Sequence, residues 1–322
     1  MSSESSSIRE VRWSGGGFGL SVVSDYPLLA PAREPQSGEI LELHRRATGD
    51  PAAHDDLAVQ IRSGDEQVLW RTRFPDGARV EVTEGAEGEH RIAYSEHAVF
   101  VLSPDRSHVD WAVSSGKEAP VQRFLLDTVL WWTALSRGFE LLHASAVKLA
   151  DERLVAIVGP SGSGKTSLAI ALMGHGATLF ADDVLALRRE DACVLAYPGP
   201  ALMNVPNASR ELTAAWATPI ASFADEQETW MAVDRAASEP ASPSAVIALD
   251  RSSEDDLELL RLTPSPLTLM GYSWGLTRTG AGAQRGFQTF ADLAESVASY
   301  HLRAQADVSP EAIADLIIET CA

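Results

Sequence analysis

The sequence predicts an α/β protein, with a P-loop core in its second half and a smaller β-rich or α+β domain in front. Three observations carry this. From Leu141 onward, short apolar runs alternate with helix-length stretches, the pattern of helices layered on a sheet. Gly159-Pro160-Ser161-Gly162-Ser163-Gly164-Lys165-Thr166 stands between one such run and one such stretch. From Val11 to Val113 the chain reads instead as short strands separated by turns. The expected division is residues 1–117 for the N-terminal domain and 118–322 for the P-loop domain.

Taken in order, residues 1–7 read as a polar tail. Arg33–Asp56 is polar and Pro-containing, and reads as a loop or weak helix. Gln67–Arg73 and Arg79–Thr83 read as a hairpin about Pro75-Asp76-Gly77. Arg91–Tyr94 and Ala98–Leu102 are two more strands. Over Glu118–Arg137, Val121, Phe124, Leu125, Val129 and Leu130 fall at helical spacing, so this is a helix joining the two parts. Leu141–Val147, Leu154–Val158, Ala177–Ala181 with Val184–Leu187 continuing it, Cys193–Tyr197, Ala245–Leu249 and Leu257–Leu262 read as strands. Thr166–Met173, Phe287–Ala298 and Ser309–Thr320 read as helices, the last with Ser309-Pro310-Glu311 as its N-cap sequence. Arg278–Gly286 is a Gly-rich loop with two arginines.

Composition narrows the function classes. The chain has 322 residues and a net charge of −19, which argues against nucleic acid as a partner, because phosphate backbones are held by Lys and Arg. Only Lys117, Lys148 and Lys165 are lysines, and one of them sits in the glycine-rich loop. The two cysteines, Cys193 and Cys321, form no CxxC or Cys/His cluster, so neither a zinc site nor a disulfide framework is expected. The N-terminus lacks the charge and apolar run of a signal peptide. The most apolar run, Phe124–Leu135, contains Asp127 and is too short to span a bilayer. A cytoplasmic protein without membrane attachment is the expectation.

The loop Gly159–Thr166 matches G-x-x-x-x-G-K-[ST], the Walker A pattern, and its context supports the match. An apolar strand enters it, and a helix from Ser167 leaves it. Glycines let the backbone wrap so that several N–H groups point at phosphate oxygens, and the helix N-terminus adds partial positive charge. The expected site is therefore Gly159, Pro160, Ser161, Gly162, Ser163, Gly164, Lys165, Thr166 and Ser167 around a nucleoside triphosphate. Lys165 reaches the β- and γ-phosphates, and the Thr166 hydroxyl coordinates Mg²⁺.

Asp182 and Asp183 follow Ala177-Thr-Leu-Phe-Ala181. The interval from Lys165 holds one helix and one strand, which would return beside the P-loop strand. Ligands of open α/β sheets sit at such carboxyl ends. Neighbouring strand side chains point to opposite faces, so one Asp suits Mg²⁺ and the other an acceptor hydroxyl, whose proton it can take. His143, in Leu141-Leu142-His143-Ala144, reads on its own as a core histidine.

In this order, His143-Ala144, Gly159–Thr166, Gly174-His-Gly176-Ala-Thr-Leu-Phe180 and Ala181-Asp182-Asp183 resemble the catalytic domain of the HPr kinase/phosphorylase family. The motifs cover about 45 residues, and a looser likeness runs from 140 to 322. The resemblance implies a core of the HPr-kinase and phosphoenolpyruvate-carboxykinase type, ATP and Mg²⁺ as cofactors, and transfer of the γ-phosphate to a hydroxyl. It implies Lys165 and Thr166 on phosphates and Mg²⁺, Asp183 as base, Asp182 on the metal side and His143 beside them. It allows a homo-oligomer, since HPr kinases are ring hexamers. The chain departs from the family in carrying Thr166-Ser167 where Ser-Glu is usual. It also shows neither the later glycine-rich signature with its metal-binding Glu nor the basic segment near the C-terminus. It is similar instead to divergent members from biosynthetic gene clusters, such as lasso-peptide tailoring kinases. The acceptor is then a hydroxyl of a peptide, protein or small molecule.

The alternative is a nucleotide-hydrolysing switch or a regulatory nucleotide-binding module. There is no N-K-x-D guanine signature and no distant strand ending in Asp-Glu. Trp131-Trp132 reads as core or interface packing. Arg235 reads as a surface residue with phosphate as its rarer role, Arg278 and Arg285 as arginines of a mobile loop with closure over the acceptor or the transferred phosphate as the rarer role, and Asp225–Glu228 as a solvated acidic face.

Overall fold

The computed structural model describes residues 10–34, 38–46, 66–73, 77–95, 97–114, 116–191, 193–222, 227–251, 257–274 and 281–321. The chain forms a mixed α/β structure with large sheets and few helices, in two compact units: Met1–Gly16 with Leu20–Val129, and Gly17–Gly19 with Leu130–Ala322.

In the first unit, β1 (Trp13–Gly17), β2 (Leu20–Ser24), β3 (Glu39–Arg45), β4 (Gln67–Arg73), β5 (Arg79–Glu84), β6 (His90–Tyr94), β7 (Ala98–Leu102) and β8 (His108–Val113) make one sheet. Its order is β1-β2-β3-β8-β7-β6-β5-β4. From β8 to β4 neighbours are antiparallel, as short turns dictate, whereas β3 runs parallel to both β2 and β8. Alternation sets the buried face: Val80 and Val82 on β5, Ile92 and Tyr94 on β6. Helix α1 (Glu118–Phe124) brings Phe124 onto Tyr94, ring centroids 4.3 Å apart and stacked. A π-helical turn, Leu125–Val129, follows.

The second unit opens with α2 (Leu130–Ser136), β9 (Glu140–Lys148), β10 (Leu154–Val158), α3 (Lys165–Gly174), β11 (Thr178–Ala181), β12 (Val184–Glu190) and β13 (Cys193–Tyr197). Next come β14 (Leu202–Pro206), a 3₁₀ turn (Asn207–Thr213), β15 (Ala217–Ser222), β16 (Glu228–Val233), β17 (Pro243–Asp250) and β18 (Glu258–Leu262). The chain ends with α4 (Pro266–Met270), α5 (Ala281–Ser296), β19 (Ala298–Arg303) and α6 (Pro310–Cys321). The main sheet runs β13-β12-β9-β10-β17-β19-β18, and β14-β16-β15 form a second, small sheet. Every residue of β10 is buried, which is why it reads as an unbroken apolar run. Val155 and Ile157 face a core shared with Leu168 and Leu172 of α3 and Ile313 and Ile317 of α6. Leu154, Ala156 and Val158 face the opposite core, with Phe290 and Leu293 of α5 and Leu269 of α4.

Several sequence expectations hold. The 67–73 and 79–83 strands pair antiparallel; their turn at 74–76 falls outside the described residues. Trp131 and Trp132 are buried. The Ser309 hydroxyl accepts the Ala312 N–H at 3.2 Å, capping α6. Others are corrected. Within Arg33–Asp56, Glu39–Arg45 is a strand rather than a loop or weak helix. Leu41 and Leu43 are buried in it, while Glu39, Ile40 and Glu42 face outward and mask the period. The Gly-rich segment is helix from Ala281, so Arg285 is exposed on α5; Arg278 falls outside the described residues. Gly286 packs closely there: an added Cβ would lie 3.1 Å from the Glu140 carboxylate, which would have to shift by a few tenths of an ångström. β14, β15, β16 and β19 were not expected at all. The remaining correction concerns strand order, and it shapes the site.

Candidate functional site

The strand carrying the aspartates does not lie beside β10, as the sequence suggested. β9 lies between them. Its last residues pair with β10 on one edge, with Ala144 opposite Val158. On the other edge it pairs with β11 and then β12, with Ala181 opposite Ala146 and Val184 opposite His143. Asp182 and Asp183 are the break between those two pairings. Asp183 has φ +61°, and the Val184 N–H bonds the Asp182 carbonyl at 2.7 Å. Together these make a γ-turn about Asp183, a conformation that non-glycine residues seldom adopt. Strain of this kind concentrates at functional sites. The two carboxylates therefore leave a turn, not successive faces of a strand.

On β9, His143, Ser145 and Val147 share one face by alternation, and Val147 belongs to the core beneath α3. His143 and Ser145 thus point to the side where α3 begins. The α3 N-cap is Gly164, at φ +92°, and no side chain caps it. Gly162 is also left-handed, at φ +78°. A Cβ added at either glycine would meet nothing within 4 Å, so both line open space before the helix. Gly159 differs: its Cβ would sit 2.9 Å from the Leu249 carbonyl and from the Ser163 hydroxyl. Only glycine lets the loop pass there. The Ser163 Oγ is enclosed with no hydrogen-bond partner.

Lys165 is only 5% exposed. Its ammonium donates to the carbonyls of Gly159 and Pro160 and to His143 Nε2, each at 3.1 Å, so its three protons are all used. Burial holds its pKa below the usual lysine range, against the pull of Asp183 and Asp182. Because His143 Nε2 accepts from Lys165, Nδ1 carries the proton and donates to the Asp183 carbonyl at 3.1 Å. Burial and the Lys165 charge both lower the His143 pKa, so the ring is neutral near pH 7.

Asp182 gathers the rest. Its Oδ1 accepts from the Thr166 hydroxyl at 2.9 Å and from the Ser145 hydroxyl at 3.0 Å, and its Oδ2 from the Asn204 N–H at 3.2 Å. Burial, then the neighbouring Asp183 charge, push its pKa up to about 7, and these hydrogen bonds oppose the rise. One further aromatic closes the group. Trp274 donates its backbone N–H to the Leu141 carbonyl and sets its ring edge-on to His143, centroids 5.5 Å apart. Trp274 is 37% exposed.

The sequence-derived set thus comes together: Lys165 touches His143, His143 touches Asp183, and Thr166 touches Asp182. Arg235 does not join it. Its guanidinium donates to the Met173 carbonyl at the far end of α3. Ser145, Asn204 and Trp274 were not anticipated. Ser145 had a signal, since a residue two beyond His143 on a strand shares its face. The donors suit Mg²⁺, which takes hard oxygens and keeps several non-protein ligands. Thr166 and Asp182 offer a hydroxyl and a carboxylate. Among the described residues no group of three or more His, Cys, Asp or Glu could hold a metal by itself. Among them, too, no helix is long and apolar enough to cross a membrane.

No protein-family model and no curated protein matches the chain. Among solved structures it is similar to the Hpr(Ser) kinase/phosphatase from Coxiella burnetii, with a TM-score of 0.32 and 14% identity, over 56% of this chain and 95% of that one. The likeness is distant, and the functional reading is built on the site geometry instead.

Proposed function

We propose that the protein is a Mg-ATP-dependent kinase that transfers the γ-phosphate to a serine-like hydroxyl of a peptide, protein or small molecule. The observation behind the reading is one cluster: an uncapped helix start whose Lys165 is hydrogen-bonded through His143 to Asp183, and whose Thr166 is hydrogen-bonded to the adjacent Asp182. The reading takes the core to be of the HPr-kinase and phosphoenolpyruvate-carboxykinase type, on the sequence motifs, and the compartment to be cytoplasmic.

In this reading, the N–H groups opening α3 and the left-handed glycines receive phosphate oxygens. Lys165 exchanges its loop carbonyls for phosphate, which stabilises charge that shifts during transfer. Thr166 and Asp182 hold Mg²⁺, which supplies positive charge against the phosphate oxygens when bound. Asp183 accepts the acceptor hydroxyl proton as that oxygen bonds to the γ-phosphorus and the bond to the β–γ bridging oxygen breaks, releasing ADP. His143 acts as a positioning residue, fixing the Asp183 turn through its carbonyl.

The test offers γ-labelled ATP to the protein with hydroxy compounds, serine peptides and HPr. Label should appear on a hydroxyl acceptor. Label released only as free phosphate would favour a hydrolysing switch and sink the kinase reading. Asp183→Asn should abolish transfer and leave ATP binding largely intact; lost binding with surviving transfer would overturn the role given to Asp183.

A further inference from the structure

Trp274 sets an exposed aromatic ring against the site and brings no ionisable group to it. The other tryptophans are buried, apart from a half-buried Trp70. The ring is nonetheless held in place. The His143 N–H donates to the Tyr272 carbonyl at 2.8 Å, and the Trp274 N–H to the Leu141 carbonyl at 3.1 Å. β12 occupies one edge of β9 at these residues, so 272–274 lie along the other, just past Val158, where β10 stops pairing. Buried Trp131 lies against the indole, centroids 5.5 Å apart and planes tilted by 31°. The indole is thus fixed before any ligand arrives, which spares a ligand the cost of ordering it.

We infer that Trp274 is a specificity-determining platform for the acceptor, and that the acceptor carries an apolar or aromatic group next to its reacting hydroxyl. The inference rests on the kinase reading. Position decides between the acceptor and the nucleotide base. Trp274 borders His143, and His143 bonds both the Lys165 ammonium and the Asp183 carbonyl. In that reading Lys165 serves the β- and γ-phosphates and Asp183 takes the acceptor proton. The indole therefore stands at the γ end, where the acceptor hydroxyl must arrive, and not at the end of the phosphate chain that carries the base. The ring decides the chemistry. A flat apolar surface holds another ring or an aliphatic group by burial and offset stacking, and it offers a carboxylate or phosphate nothing to pair with. Such a group can be the residue beside a peptide serine or the substituent of a small alcohol, and one surface serves both.

The test compares kcat/KM within two pairs of acceptors, on the full chain with Mg-ATP. One pair is acetyl-Ser-Phe-amide against acetyl-Ser-Ala-amide; the other is N-acetylphenylalaninol against N-acetylalaninol. Wild type should favour the phenyl member of at least one pair about tenfold, the scale of one added aromatic contact. A preference in the peptide pair alone assigns a peptide or protein acceptor, and one in the alcohol pair alone a small molecule. Trp274→Ala should erase the preference through the acceptor KM, not the ATP KM, and Trp274→Phe, which keeps a ring, should retain it. Trp274→Gln makes the same test if the alanine variant does not fold. No preference in wild type would overturn the inference, as would a preference that survives Trp274→Ala. A Trp274→Ala variant that lowers kcat equally for both members of a pair would reduce the indole to a structural role, and one that raises the ATP KM instead would make it a base platform; either result overturns the inference. So does label that reaches other hydroxy compounds but neither pair. Label released only as free phosphate fails the kinase reading first and takes the inference with it.

Discussion

Asp182→Asn should change stability in a pH-dependent way, because the buried carboxylate resists ionisation. Its pKa rises from 3.8 to about 7 on folding. A carboxylate with a raised pKa contributes stability that is full below pH 4 and lost as pH climbs through 7. At 1.36 kcal/mol per unit, the loss reaches about 4 kcal/mol by pH 8, of which rather more than a third has gone by pH 5. Asparagine has no such titration. It can keep its oxygen on the Asn204 N–H and turn its NH₂ to the Ser145 and Thr166 hydroxyls, which can accept. Urea unfolding in magnesium-free buffer should therefore show the variant gaining roughly 2–3 kcal/mol relative to wild type between pH 5 and pH 8. His143, with its lowered pKa, acts in the opposite sense: its stability is present above its ordinary range and lost as pH falls. It is present in both proteins, so Asp182 dominates the difference between them. A difference that stays flat between the two pH values would refute the argument that Asp182 is ionised at a cost.

Three further outcomes follow from the same contacts. Lys165→Met removes a positive charge that lowers the His143 pKa, so nuclear magnetic resonance should show His143 titrating at higher pH; a fall would contradict the contact. Gly164→Ala places a side chain at φ +92°, which should cost about 1–2 kcal/mol in urea unfolding and fill open space in the loop; an unchanged midpoint would mean the loop adopts another conformation. Arg235→Ala should destabilise the end of α3 by about 1 kcal/mol and speed hydrogen exchange over 171–174, without touching nucleotide affinity. Weakened nucleotide binding there would return Arg235 to the site.

The local parts of the site were legible in the sequence. Gly159–Thr166 carries its own context, since the strand and helix that flank it are contiguous with it. Lys165, Thr166, Asp182 and Asp183 could be grouped by motif, and His143 joined them only through the family resemblance. Strand order could not be read, because it depends on pairings between distant segments: nothing near Asp182 says that β9 intervenes between β11 and β10. The γ-turn was equally hidden, since Ala-Asp-Asp-Val contains no glycine or proline to mark a reversal. Asn204 could not be tied to Asp182 from the sequence, because β14 is short and ends in Pro206 and the link spans two sheets. β3 was hidden by charge, as Glu39, Glu42, His44 and Arg45 surround the two leucines that define its buried face.

Calorimetric titration of the protein with ATP, with Mg²⁺ and then with chelator, tests the central claim most directly. Saturable binding that needs Mg²⁺, falls at least about tenfold in Lys165→Ala and loses its Mg²⁺ dependence in Thr166→Ala is the predicted result. Absence of binding by wild type, or equal affinity in Lys165→Ala, would contradict it.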